Sequence, residues 1–486
     1  MDKSSRFQLD SDYRRQLGYR LIDHIDRYFE SLQTRPVQLP EEQRTFGELR
    51  DLLPELGEDA EKVLDDICSE MIDKGFHVPS ANYFGLMNPA PTYISVLAEA
   101  LVAALNPQLA TMARSQLASK IEQASVRWIG ERVGWDELFG GTFTSGGNEA
   151  NFSALALALT ARFPNVMNEG VQSIGGTPML YASEEAHHSL DKSAGLLGLG
   201  RKAVRRIAVD HQIRMNVNDL EAAIGEDASS RRVPFCVVAT AGTTNSGAID
   251  DLVTIAELCR RHKLWMHVDG AYGAAAIFSD KHRNLVRGIE LADSITVDPH
   301  KWLAMPFAAG VVLTSHPELL KQTFGVSTPY MPKTDRPRPP DNFAISTQWT
   351  RRMNSLKLWL TLRVHGRQAY EEHIDRQVQL AHWFADQIGK SPDFELFAPP
   401  MLPIFNLRLK NPGSEEERGA MLHQALVDEV TRDGRQWIST TVVRRTTVIR
   451  VMIISYLTEQ RHLEELLRRM HHAAGRVHAQ AIKSVS

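Results

Sequence analysis

Two charged residues stand where a charge is costly. Asp269 follows the short run Leu264 to Val268 in His267-Val268-Asp269-Gly270-Ala271-Tyr272-Gly273. Lys301 follows Ser294 to Val297 in Asp298-Pro299-His300-Lys301-Trp302-Leu303. Short apolar runs of this kind read as buried strands, so each charge lands at a strand end. A lysine set between a strand and apolar residues is expensive to keep as a cation, which makes its neutral, nucleophilic amine accessible. A lysine that forms Schiff bases needs that property. Taken singly, both residues have ordinary readings: a helix cap for Asp269, and for Lys301 a stem that snorkels to the surface.

Taken together, they could hold pyridoxal phosphate, with Lys301 on the aldehyde carbon and Asp269 on the protonated ring nitrogen. A phosphate also needs N–H donors. Thr144-Ser145-Gly146-Gly147-Asn148-Glu149-Ala150 opens a helix with adjacent glycines, which lets backbone amides and the helix dipole close on an anion. As an isolated motif this is weak, because glycine-rich turns with an Asn cap open many helices.

The elements that must position these residues follow from periodicity. Between Gly140 and Leu313, the segments Pro178 to Ala182, Val204 to Ile207, Phe235 to Thr240, Leu264 to Val268, Ser294 to Val297 and Ala309 to Leu313 read as strands. Helices such as Glu149 to Arg162 and Asp251 to His262 alternate with them, so the region is an open, largely parallel α/β sheet that places ligands at its carboxyl edge. Before it, Asp10 to Leu32 and Asp59 to Lys74 are helical and need a partner for their apolar stripes, while Ile94 to Leu105 and Ser115 to Val133 are helical by period. After it, Ser327 to Pro340 holds five prolines and reads as a mobile surface loop. Helices resume from Arg351 to Ile388, and the tail mixes strands (Ile404 to Leu409, Val448 to Ile454) with helices (Glu416 to Arg432, Glu459 to Ala474), as in a small α+β domain. The expected division is 1–90 as an N-terminal helical segment, 91–375 as the large α/β domain and 376–486 as the small one.

Composition narrows the function classes. At 486 residues the chain is too long for a lone binding module, and 43% apolar with 23% charged residues is the balance of a folded globular protein. A net charge of −4 gives no pull toward nucleic acid or anionic lipid. Met1 to Asp10 carries charges where a signal peptide needs an apolar core, and the apolar run Ile94 to Leu105 is short and broken by Glu99, so no membrane span is expected. Cys68, Cys236 and Cys259 show no metal-like spacing and read as buried, reduced thiols of a cytoplasmic protein. Gly195-Leu196-Leu197-Gly198-Leu199-Gly200 does not fit GxGxxG, which argues against a dinucleotide-binding oxidoreductase.

The motifs TSGGNEAN (Thr144 to Asn151), EEAHHS (Glu184 to Ser189), ATAGTTNSGAIDD (Ala239 to Asp251), HVDGAYGA (His267 to Ala274) and DPHKWL (Asp298 to Leu303) occur together and in order. In this combination the chain resembles the group II pyridoxal-phosphate-dependent amino acid decarboxylases, the family of aromatic-L-amino-acid, glutamate, histidine and tyrosine decarboxylases, over roughly Asp12 to Leu466. The resemblance implies the aspartate-aminotransferase-like fold, type I, and a homodimer with the N-terminal helices at its two-fold interface. It implies Lys301 as the Schiff-base lysine, Asp269 on the ring nitrogen, His187 stacked on one ring face and Ala271 on the other. Gly146, Gly147, Asn148 and His300 fall on phosphate-binding positions, and Thr244 and Asp250 on positions that orient His187 and the Asp269 carboxylate. His188 matches no role and reads as a solvated loop residue. Asp298 stands where some members carry Asn, and is expected to point away, since a carboxylate repels a phosphate.

Tyr83, Phe84, Leu86 and Met87 fall in the segment that lines the family's side-chain pocket. Aromatic-selective members carry aromatic residues where this chain has Leu86 and Met87, so an apolar substrate side chain, aromatic or medium-sized aliphatic, is favoured over glutamate. Arg450 matches a family arginine near the substrate, where its fork suits a carboxylate; a surface arginine is the plain alternative. The family's Cα proton donor, a tyrosine on a mobile loop, aligns near Asn342 or Phe343, so Tyr330 is expected to take its place or the carbanion to meet oxygen. The expected reaction is decarboxylation of an L-amino acid to an amine. The alternatives are an aldehyde synthase, a glutamate- or aspartate-type decarboxylase, and a non-catalytic scaffold of the same fold.

Overall fold

A computed structural model describes residues 7–43, 53–87, 89–136, 138–327, 340–410 and 416–483. The chain forms two compact units, one of Met1–Leu86, Gln424–Ser439 and Leu457–Ser486, the other of Met87–His423 and Thr440–Tyr456.

In the first unit, α1 (Ser11–Ser31) and α2 (Ala60–Lys74) each start on an aspartate cap: Asp10 accepts from the Tyr13 amide and Asp59 from the Lys62 amide. Arg20 of α1 donates to Asp65 of α2 at 2.7 Å, and Gln16 to Glu61 at 2.8 Å. Neither helix buries a residue fully, and Tyr19, Val63, Ile67 and Met71 lie exposed. Tyr83 and Phe84 are core residues of this unit, tied down by an amide bond from Phe84 to the Trp437 carbonyl at 2.8 Å.

The second unit is built on a seven-stranded sheet. Its strands are β1 (Gly140–Thr144), β2 (Thr177–Ser183), β3 (Val204–Ile207), β4 (Arg232–Thr240), β5 (Trp265–Asp269), β6 (Ser294–Val297) and β7 (Gly310–Thr314), in the spatial order β1-β7-β6-β5-β4-β2-β3. β2 to β6 run parallel and β7 runs antiparallel to both β6 and β1. The carboxyl ends of β1, β2, β4, β5 and β6 therefore share one edge. In register, Asp269 lies between Thr240 of β4 and Thr296 of β6. The helices α3 (Tyr93–Leu105), α4 (Gln116–Val133) and α5 (Gly147–Arg162) follow the apolar periods, and α5 packs its buried face on β5, β6 and β7.

β1 is the strand that periodicity misses: Gly140-Gly141-Thr142 carries almost no strand signal, and its pairing with β7 supplies the order that its side chains do not. The helix Ser355–Lys390 changes direction at Gly366, whose φ of 75° is open to glycine.

The tail does not form a unit of its own. Its sheet comprises β8 (Phe394–Leu396), β9 (Ile404–Leu409), β10 (Ser439–Val443) and β11 (Thr446–Met452), in the order β10-β11-β9-β8, and falls with the large sheet apart from Ser439. The helix Gln460–Lys483 falls with the N-terminal helices. The expected boundary at 376 is replaced for a physical reason. Asn406 of β9 donates to the Asn245 carbonyl at 2.9 Å, and Val443 and Val448 share a buried cluster with Ile213 and Ala248. Cys236 and Cys259 are buried free thiols, whereas Cys68 is half-buried. Among the described residues no helix is long and apolar enough to cross a membrane.

Candidate active site

The turn between β1 and α5 makes an anion cradle. A Cβ added to Gly147 would stand 2.7 Å from Asp298 Oδ2, and one added to Gly146 would stand 3.1 Å from the His300 ring, so side chains here would fill the space before the helix N-terminus. The loop is pinned by Glu149, whose carboxylate accepts from the Ser145 amide at 2.8 Å and its hydroxyl at 2.7 Å, and also from Thr347 and Gln348. Burial raises the Glu149 pKa, but these donors outweigh it and hold the group ionised. Nδ1 of His300 accepts from the Ala309 amide at 3.0 Å, which leaves Nε2 to carry the proton. Burial pulls the His300 pKa down against the pull of Asp298. Asn148 is exposed at the cradle's mouth.

Lys301 reaches the same place from the end of β6. Its Nζ lies 3.1 Å from Asp298 Oδ2, and His300 Nε2 lies 3.7 Å from that oxygen. The expectation that Asp298 points away is thus overturned: attraction to the lysine outweighs avoidance of the phosphate site. Its second oxygen, Oδ1, is buried without a hydrogen bond. The segment after Lys301 is clamped by Lys357, fully buried, which donates to the carbonyls of Pro306 at 3.2 Å and Ala308 at 2.7 Å and pairs with Glu99 at 2.6 Å.

Asp269 closes β5 and is buried. Its Oδ2 accepts from Asn151 Nδ2 at 2.8 Å and its Oδ1 from the Ala271 amide at 3.2 Å. Asp250 was expected to orient this carboxylate and does something else: it accepts from the Met215 amide at 2.6 Å and the Thr240 amide at 2.7 Å, clamping the end of β4. Burial pushes the Asp250 pKa up to about 6.

His187 follows β2. It is exposed, yet desolvation by the surrounding protein lowers its pKa, with Asp269 pulling the other way. Nδ1 accepts from the Ser189 amide at 3.1 Å. Thr244, expected to orient His187, is exposed and offers its carbonyl to Arg450 at 3.4 Å instead. His188 is solvated, as expected.

Arg450, on β11, is buried, with its guanidinium at Thr244 and Asn245. Ala271 is buried beside Asp269, and Met87 packs on the large core. Tyr83 stacks on Trp437 with centroids 5.4 Å apart, Phe84 is buried beside it, and Leu86 is exposed. Tyr330 lies outside the described residues. At the aligned tyrosine position, Asn342 donates to Ser119 at 2.8 Å and Phe343 stacks on Trp349 at 4.8 Å.

Lys301, Asp269, His187 and the glycine cradle are therefore brought together, and the cradle, the lysine and the paired carboxylate at β5 fit a phosphorylated pyridine aldehyde, with Asp298 a group at the cradle that opposes the phosphate. Sequence reasoning missed Asn151, Ser189, Glu149 and Lys357. Asn151 and Glu149 stand inside the TSGGNEAN motif, and their polarity on an otherwise small and apolar helix was the available signal.

The family described as the pyridoxal-dependent decarboxylase conserved domain matches residues 40–410. The chain is 31% identical to the aromatic-L-amino-acid decarboxylase of Bacillus atrophaeus over 96% of both chains. It is 28% identical to the 4-hydroxyphenylacetaldehyde synthase of Rhodiola rosea over 92% of both. Mouse CSAD, as a solved structure, superposes with a TM-score of 0.89 at 26% identity, covering 96% of this chain and 99% of that one.

Proposed function

The chain belongs to the pyridoxal-dependent decarboxylase family, and we propose that it converts an L-amino acid with an apolar side chain, aromatic or medium-sized aliphatic, into the corresponding amine and carbon dioxide. It is a pyridoxal-phosphate-dependent carboxy-lyase with the type I fold. When bound, pyridoxal phosphate supplies the electron sink for the pair left behind when the carboxylate departs. The observation that carries the reading is the convergence of Lys301, Asp269, His187 and the Gly146–Gly147 cradle on one edge of the sheet. Lys301 offers the amine. Asp269, held by Asn151 and the Ala271 amide, is the carboxylate available to a protonated ring nitrogen. His187, its Nδ1 taken by the Ser189 amide, has Nε2 left to carry the proton. The preference for an apolar side chain is supported by the length of the match to the Bacillus decarboxylase.

A second reading, aldehyde synthesis, is favoured by one feature. Asn342 and Phe343 occupy the proton donor's aligned position, one hydrogen-bonded to Ser119 and the other stacked, and neither is a phenol. In that reaction amino acid, oxygen and water give aldehyde, carbon dioxide, ammonia and hydrogen peroxide. A panel of the twenty L-amino acids with added cofactor, read for carbon dioxide, amine and peroxide, tests both. Amine from an aromatic or aliphatic substrate with peroxide near zero supports the first reading; one peroxide per carbon dioxide supports the second; turnover of glutamate or aspartate alone overturns the side-chain assignment.

We also propose a homodimer, supported by the unburied stripes of α1 and α2. Sedimentation of the wild type and of Ile67→Asp/Met71→Asp checks it: a monomeric wild type overturns the proposal.

A further inference from the structure

Asn151 has every hydrogen-bonding atom engaged, and its partners include Asp269 and the serine whose amide bonds His187. One Nδ2 hydrogen goes to Asp269 Oδ2 at 2.8 Å and the other to Ser189 Oγ at 2.9 Å, while the Ser189 amide donates to His187 Nδ1. On the opposite side Oδ1 accepts from Thr296 Oγ1 at 2.7 Å and faces His267 Nε2 at 3.0 Å. Asn151, Ser189, His267, Asp269 and Thr296 are all buried.

The directions of these bonds are forced. An ionised Asp269 only accepts, so Asn151 must turn Nδ2 toward it and Oδ1 toward His267. His267 must then carry its proton on Nε2, and its Nδ1 accepts from the Ser294 hydroxyl at 2.9 Å, rather than donating to the Ser294 carbonyl. Burial pushes the His267 pKa well down, which keeps the ring neutral and fit for that pattern. Ser294 Oγ itself accepts from Trp265 Nε1 at 2.9 Å. The result is one run of donors, Trp265 to Ser294 to His267 to Asn151, that ends on Asp269, and such aligned bonds polarise each other.

We propose that Asn151 is the shared positioning residue of the site: it donates to Asp269 and aims its carboxylate while fixing the turn that carries His187, and the buried Trp265–Ser294–His267 run sets its amide the right way round. The inference rests on the cofactor assignment and not on the identity of the substrate.

Asn151→Asp keeps the shape and swaps the donor for a carboxylate 2.8 Å from Asp269, so the two acids would share a proton. In holoenzyme loaded with ring-15N pyridoxal phosphate, the wild type should show the chemical shift of a protonated ring nitrogen at neutral pH. Asn151→Asp should move it to the unprotonated range while cofactor is retained, with kcat down on the order of 10²-fold or more. Asn151→Ala, which adds no charge, serves if the first variant does not fold; it should move the shift the same way by a smaller amount. Combining Asn151→Ala with Asp269→Asn should cost no more than Asp269→Asn alone. A wild-type shift reproduced unchanged in the variants overturns the inference alone. A wild type that takes up no cofactor overturns the assignment beneath it as well.

Discussion

Lys301 Nζ and Asp298 Oδ2 stand 3.1 Å apart, with the carboxylate directly under Gly147 at the phosphate cradle. One acid thus borders two opposite demands. It stands within ion-pair distance of the lysine, and it opposes a phosphate in the cradle.

Replacing Asp298 by Asn should therefore strengthen binding of an anion in the cradle, because a carboxylate beside Gly147 repels a phosphate. Affinity for pyridoxal phosphate should rise further than affinity for pyridoxal without its phosphate, read by titration of the two into wild type and variant. Equal changes for the two ligands would show that Asp298 does not bear on the phosphate.

Lys301→Ala should lose the absorbance of the lysine-bound cofactor and several orders of magnitude in turnover. Lys357 cannot replace it, being committed to Glu99 and two carbonyls. Spectra of the purified variant with added pyridoxal phosphate check this; an intact absorbance band would mean another anchor.

Glu122 and Arg351 form a buried ion pair at 2.7 Å, and Arg351 also donates to the Phe143 carbonyl of β1 at 2.8 Å. Glu122→Ala strands a buried guanidinium beside the strand that leads to the cradle. Stability should drop by about 3–5 kcal/mol, read as the denaturant midpoint. A loss under about 1 kcal/mol would place the pair with weak surface bridges.

His77 is buried against Tyr28 at 3.2 Å, and desolvation aided by Arg35 lowers its pKa from 6.5 to about 4. Unfolded, it binds a proton near its ordinary value, so below that pH the unfolded state holds more protons and stability rises with pH. Its contribution is complete above about 6.5 and disappears as pH falls toward 4. The amount is about 3 kcal/mol at most. His77→Gln should flatten the stability profile in that window and leave it unchanged above neutral; an unaltered slope contradicts the assignment.

Much of this was legible along the chain. Val204–Ile207, Ser294–Val297 and Ile404–Leu409 coincide with the segments that read as strands, and Ser294–Val297 shows why: an interior strand covered on both faces is buried along its whole length. Lys301 and Asp269 announced themselves by being charges at the ends of such runs. β1 did not, because glycine and threonine gain their order only from β7. Asp298 was misjudged because one electrostatic neighbour was weighed and the nearer one, three residues away, was not. Asn151 was hidden for a different reason: its partners come from β5, β6 and the turn after β2, and no local period encodes a meeting of that kind. The union of the C-terminal sheet with the large one rests on contacts such as Asn406 with Asn245, equally remote in sequence.

The antiparallel pairing of β1 with β7, Thr144 opposite Gly310, also governs when the site can exist. Among the described residues β1 lies at the edge of the sheet with β7 as its neighbour, so its ladder cannot form until Gly310–Thr314 have left the ribosome. Contacts so distant in sequence are slow to form. The strand that leads to the cradle therefore takes its place in the sheet after Lys301 has been synthesised, late in the assembly of this unit.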